Sequence, residues 1–337
     1  MRHSIALVLV IAAVAACGKS SKTPGGDDDD GMPDASGPLG TPAFSIVTPD
    51  ITLTPGEEVT YCYYFHTTNT TDIAVNKWTS LMNVGSHHLI LFLGGDAHAD
   101  GLDTTNSCGL GTGGSIQNSP VWVYASQVVG SEQELDLPAD DGNGKPLAEK
   151  IPANSEAALQ MHYLNSSDNT ETAHDELAAY ALPSGAAYTE TDAYITYNQD
   201  INIPANATNV TVTASCPVPS GVKFWEMSTH SHKQSVTTTV SDGSSAIVQS
   251  SDWEHPTVQI WGTTPFYTFT NSNLTWSCNY NNNAPPPYEP NGTSNADTTV
   301  VAGPSAATNE MCMAVGYFFP ATGPEFHLEY GGTCLGL

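Results

Sequence analysis

Beyond residue 42 the chain reads as short stretches in which apolar or β-branched positions alternate with polar ones. Val210-Thr211-Val212-Thr213 and Ser235-Val236-Thr237-Thr238-Thr239-Val240 are examples, and clusters of Gly, Pro, Asn and Asp separate such stretches. Successive side chains of a strand point to opposite faces, so alternation at period two marks half-buried strands. No long segment repeats at the helical period, and the expected class is all-β. Single cores stop growing at about 250 to 300 residues. The break at Leu182-Pro183-Ser184-Gly185-Ala186-Ala187 therefore predicts two consecutive β-sandwich, jelly-roll-like domains, 42–186 and 187–337.

The N-terminus follows a different pattern. Arg2 and His3 precede a 12-residue apolar run, Ile5 to Ala16, which ends in small residues before Cys17. That run is shorter than the roughly 20 residues a membrane-spanning helix needs, and it fits a signal peptide, 1–16. Val14-Ala15-Ala16-Cys17 resembles a bacterial lipobox, implying cleavage before Cys17 and lipid attachment to it. An ordinary secretory signal with an incidental cysteine is the alternative. Residues 17–41 are rich in Gly, Ser, Pro and Asp, including Asp27 to Asp30, and are expected to be a disordered tether. The predicted location is that of an exported lipoprotein at the outer membrane or cell surface.

Charge removes whole classes of function. The 337 residues carry 8 Lys+Arg against 35 Asp+Glu, a net −27. Nucleic-acid binding needs basic side chains to neutralise phosphates, and none is expected. The single arginine is Arg2, so no guanidinium in the body of the protein can clamp a carboxylate or phosphate. Setting Cys17 aside, Cys62, Cys108, Cys216, Cys278, Cys312 and Cys334 remain, and an even number in an exported chain suggests three disulfides. Pairing within domains leaves Cys62 with Cys108 and three options for the other four.

Four segments offer soft or borderline metal ligands. His87 and His88 follow Gly85 and open the apolar run Leu89-Ile90-Leu91-Phe92; adjacent strand residues reach one metal only at a strand end or bulge. In Ala158-Leu159-Gln160-Met161-His162-Tyr163, Gln160 and His162 share a face. His230-Ser231-His232 aims two imidazoles the same way, a ready bidentate pair. Asn309-Glu310-Met311-Cys312-Met313 sets a thioether beside a probable disulfide. Imidazole suits copper and zinc, whereas thioether favours Cu(I).

In this order and at these separations the four segments resemble the copper type II, ascorbate-dependent monooxygenases, which include the peptidylglycine α-hydroxylating and dopamine β-monooxygenases. The resemblance covers nearly the whole mature chain. It implies two coppers per chain facing each other across a solvent-filled interdomain cleft. His87, His88 and His162 would hold an electron-storing copper, and His230, His232 and Met311 the copper that meets O2 and substrate, with Gln160 behind the storage site. It also implies the pairs Cys62–Cys108, Cys216–Cys334 and Cys278–Cys312. The activity implied is hydroxylation of a C–H bond using O2 and an external reductant, either ascorbate or a redox protein.

Departures from the family bear on the substrate. Peptidylglycine enzymes place Arg two residues before the His-x-His to hold the substrate carboxylate; here Ser228 stands there. Met313 and Val315 replace the peptide enzymes' Asn and Tyr. From residue 42 onward the chain has 30 acids against five lysines, a field that draws cations and repels anions. A small amine or neutral substrate is the expectation. Two other readings compete: a non-enzymatic copper-binding lipoprotein, and a zinc hydrolase or adhesion sandwich. The zinc reading lacks a His-Glu-x-x-His motif, although Glu226 and Glu310 lie near candidate ligands.

Overall fold

In the computed structural model, residues 40–105, 108, 120–283 and 297–336 are described. The signal peptide, Cys17 and nearly all of the tether expected at the N-terminus lie outside them. Every regular element among the described residues is a strand, and the fold is all-β.

The alternating segments assemble into four principal sheets. The first runs Phe44–Val47, Asp175–Ala181, Ile73–Met82, Leu147–Ile151 and Thr189–Glu190, with Gln133–Asp136 also on Ile73–Met82. The second is Gly101–Asp103, Glu58–His66, Glu156–Leu164, Ser86–Leu93 and Val121–Ser126. The third is Gln259–Ile260, Lys223–Ser231, Cys312–Phe319, Asp192–Asn198, Glu325–Tyr330 and Thr333–Gly336. The fourth is Val210–Pro217, Asn273–Tyr280, Ser235–Asp242 and Ser245–Ser250. Among the described residues each ladder keeps to one side of Thr191. Thr189–Glu190, just beyond the predicted break, still belongs to the first sheet through its parallel pairing with Leu147 and Ala148.

Residues 40–337 nonetheless form one compact body. One apolar cluster takes Phe44, Trp78, Leu91 and Trp122 from the first two sheets together with Trp225, Met313, Tyr317 and Phe319 from the third. A second takes Phe224, Met227, Ala314 and Phe318 from the third sheet with Trp276 and Leu274 from the fourth. The central strands of the third sheet are therefore buried on both faces. On Cys312–Phe319, odd-numbered residues face the first cluster and Cys312, Ala314 and Phe318 the second, as strand alternation requires. Trp122 Nε1 donates to Tyr317 Oη (3.2 Å) across the junction. Trp225 stacks on Tyr317 with ring centres 5.3 Å apart.

Three disulfides form: Cys62–Cys108, Cys216–Cys334 and Cys278–Cys312. The last two each join the third sheet to the fourth, one at its edge strand Thr333–Gly336 and one at its interior strand Cys312–Phe319.

Candidate metal centre

Two bulges set the histidines. In the ladder between Glu156–Leu164 and Ser86–Leu93, His162 lies opposite His88 and Tyr163 opposite Ser86, leaving His87 without a counterpart. An extra residue of this kind locally breaks alternation and re-aims side chains, so His87 and His88 both reach the same region. Gly85 precedes them at φ 91°, with Leu53 Cδ1 only 3.0 Å from where a Cβ would stand; a side chain here would meet both steric and backbone strain. On Lys223–Ser231 the register shifts between Phe224 and Glu226, with Trp225 the extra residue. Phe224 and Met227 consequently face the fourth sheet, while Trp225, on the opposite face, joins the junction cluster. In the same ladder His230 lies opposite Met313 and Ser231 opposite Cys312. His232 and Met311 follow at the next step, so the Met311 segment runs beside the His-x-His.

Hydrogen bonds fix which ring nitrogen is free. His88 Nε2 donates to Gln160 Oε1 (3.3 Å), and Gln160 Nε2 donates to the carbonyl of Cys108. The Cys62–Cys108 disulfide thus holds the carbonyl that orients Gln160 and, through it, His88. His230 Nδ1 donates to Gln127 Oε1 (3.1 Å), and His232 Nδ1 to the carbonyl of Asn309 (3.2 Å). Each of these rings then keeps its lone pair on the other nitrogen, the arrangement found where histidine ligates a metal. His87 Nε2, His88 Nδ1 and His232 Nε2 are buried with no hydrogen-bond partner. Buried polar atoms are rarely left so, and an ion would satisfy them.

Five imidazoles converge. His87 lies 5.1 Å from His88, 5.0 Å from His162, 5.8 Å from His230 and 6.0 Å from His232, ring centre to ring centre. All five rings are buried. Burial, then mutual repulsion with neighbouring imidazoles, drives the pKa values of His87, His88 and His230 far below the usual histidine range, and that of His232 to about 4. They are neutral at pH 7 and available as ligands.

This arrangement departs from two sites held apart across a solvent-filled cleft. The nitrogens of His87, His88 and His230 all lie within 4.8 Å of one another, a set drawn from both halves. His162 stands beside it, with Nε2 2.8 Å from Glu58 Oε1. Glu58 in turn accepts hydrogen bonds from Ser305 Oγ (2.7 Å), Ala306 N (2.6 Å) and Ala307 N (3.2 Å), so one carboxylate joins His162 to the loop that leads to Met311. Burial alone would raise the Glu58 pKa, but His162, Ser305 and Ala306 outweigh it and hold it at about 2. Glu310, fully buried, accepts from the backbone N–H of His232 (2.9 Å) and Gln234 (2.6 Å) and fixes the His-x-His from below. Its burial pushes its carboxyl up to about 8, against those bonds. The Met311 carbonyl accepts from Tyr280 Oη (2.8 Å). Trp253 covers His87, ring centres 5.3 Å apart.

Glu58, Gln127 and Trp253 are absent from any sequence motif. Glu58 is the diagonal cross-strand neighbour of His162, whose direct partner is Thr60, a relation visible only once the strands are paired. Among the described residues two other groups bring potential ligands together: Cys216, Cys334 and His327, where the sulfurs are bonded to each other, and Asp252, Glu254 and His255, which lie towards solvent.

No protein-family model matches this chain, and no curated protein matches it. Among solved structures, the PBSX exported protein XepA aligns with 81% of this chain and 86% of its own, at 6% identity and a TM-score of 0.21. A likeness that low carries no argument. The resemblance to copper monooxygenases rests on the motifs of this chain alone.

Proposed function

We propose that this protein is a copper-dependent monooxygenase that hydroxylates a C–H bond of a small amine or neutral molecule, using O2 and an external reductant. The observation that carries the reading is the set of buried, partnerless nitrogens on His87, His88 and His232, in rings kept neutral by their surroundings. A site of imidazoles with Met311 alongside and no carboxylate ligand suits copper better than harder ions. Copper, when bound, would supply one-electron redox chemistry and activate O2. The chain's own part is to hold the rings: Gln160 and Gln127 set the tautomers of His88 and His230, and Glu310 fixes the backbone of His232. Neutral rings leave the nitrogens free of competing protons. The acidic surface draws cationic molecules towards the protein and disfavours ascorbate as the direct reductant. Disulfides suit export to an oxidising compartment, with lipid at Cys17 as the tether.

One observation favours a second reading, a copper-binding protein without turnover. The histidines are closed over, and a cavity of about 330 Å³ lies elsewhere, lined by Leu93, Trp122, Glu149, Glu156, Glu190 and Asp192 among others. The test is anaerobic Cu(I) reconstitution followed by O2 uptake with a reductant and a panel of amines, peptides and aromatics. Substrate-dependent uptake that disappears in Met311→Ile is the expected result. Copper bound tightly with no coupled uptake on any substrate would favour the second reading.

A further inference from the structure

The resemblance divides the ligands by half of the molecule: three histidines from the first, two histidines and a methionine from the second. The geometry groups them otherwise. His87 and His88 sit on the bulged end of Ser86–Leu93, and His230 on Lys223–Ser231 of the third sheet, yet their ligand atoms all lie within 4.8 Å of one another. A tetrahedral ion with metal–nitrogen bonds of about 2.0 to 2.1 Å needs its ligand nitrogens about 3.4 Å apart. The 4.8 Å bound exceeds that spacing by about 1.4 Å. His162 is not in that set, although its ring lies 5.0 Å from that of His87 and 4.9 Å from that of His88; Glu58 engages its Nε2 and leaves Nδ1.

We infer that His87, His88 and His230 together hold a single Cu(I) ion that bridges the two sandwiches. Three observations support it. Each of the three rings has a lone pair to give: His87 Nε2 and His88 Nδ1 are partnerless, and the Nδ1–H of His230 is committed to Gln127, which leaves Nε2. All three are buried, His87 at 6%, His88 at 7% and His230 at 8% exposure, so the ion would be screened from water. No carboxylate oxygen enters the set: Glu58 is taken up by His162, Ser305 and the backbone of Ala306 and Ala307. Three imidazoles can hold Zn(II) as well as copper, so the choice of Cu(I) follows from the copper reading and not from the ligand set.

The inference rests on the copper reading for the choice of metal, while the ligand set stands on the geometry. Its test uses no turnover, so failure of the hydroxylase reading leaves it intact. Cu(I) is titrated anaerobically into the full mature chain against a chromophoric chelator, for the wild type and for His230→Ala and His162→Ala. The expected result is one tight equivalent in the wild type. It should weaken by more than about 100-fold in His230→Ala, beyond the 10- to 100-fold typical of losing an outer-shell partner, and by less than about 10-fold in His162→Ala. Two equally tight equivalents overturn it, as does tight binding retained in His230→Ala or a loss in His162→Ala as large as in His230→Ala. Should a variant fail to fold, 15N-histidine NMR of the wild type at one equivalent of Cu(I) decides. Ring shifts on His87, His88 and His230 support the inference, and shifts on His162 with none on His230 refute it. Zn(II) binding as tightly as Cu(I) refutes the choice of ion.

Discussion

A carboxyl group buried without an ion-pair partner ties folding to pH, and Glu226 is such a group. Its Oε2 has no hydrogen-bond partner, and burial raises its pKa from 4.5 to about 8. The folded state therefore binds a proton that the unfolded chain releases between pH 4.5 and about 8. Stability should fall as pH rises through that window and level off above it. Glu226→Gln removes the penalty: it should be more stable than the wild type by about 2 to 3 kcal/mol at pH 7 and indistinguishable below pH 4.5, measured by urea unfolding at both pH values. Gln127 gives a second prediction. It orients His230 without being a proposed ligand, and Gln127→Ala should weaken Cu(I) about 10- to 100-fold with little change in the apo fold, as read by chelator competition and circular dichroism. The pairs His87-His88 and His230-Ser231-His232 were singled out by spacing because neighbours along a strand announce themselves in the sequence, whereas the lone His162 came only with the family resemblance. Glu58 and Gln127 were not legible, since they meet their histidines across 104 and 103 residues respectively.

Strands were the easiest elements to read and their faces the hardest. Val210–Pro217 shows its alternation openly, because one face is covered and the other meets solvent. Lys223–Ser231 is buried almost throughout, and its mix of aromatic, acidic and hydroxyl residues at a bulge carries no period to recognise. Pattern reading works from the contrast between a wet face and a dry one, and the central strands Lys223–Ser231 and Cys312–Phe319 have none. The same element bears the clearest stability prediction. Cys278–Cys312 closes a 34-residue separation and pins the start of Cys312–Phe319, next to Met311. Replacing both cysteines by serine should cost about 3 to 4 kcal/mol of stability by loop-closure entropy. Calorimetry of the double variant checks it, and a loss below about 1 kcal/mol would mean the ladder alone holds that segment.

At the scale of the whole molecule, residues 40–337 form one compact body in which a single apolar cluster draws on the first three sheets. Pro and Gly near residue 186 suggested a break, whereas the ladders change over at Thr191 and the apolar cluster crossing that point was not readable, because its members are scattered from Phe44 to Phe319. That continuity predicts a single cooperative thermal transition for the described body, in contrast to the two expected of tethered independent domains. An ion seated between His87, His88 and His230 would raise that transition, since a ligand bound only by the folded state adds about 2.7 kcal/mol at 100 times its dissociation constant. Chelation should reverse the shift.

The order in which a chain is made gives the shared third sheet a further meaning. The first half emerges from the ribosome complete in its own two sheets, yet Trp122 must wait for Tyr317, 195 residues later, to cap its indole N–H. Until Cys312–Phe319 is synthesised and docked, the outer side of the second sheet stays uncovered, an adhesive surface of the kind that drives partly made proteins to associate. The nascent chain thus has reason to remain unfolded, or chaperoned, until Cys312–Phe319 is available, and a truncated product would betray itself by insolubility rather than by a missing activity.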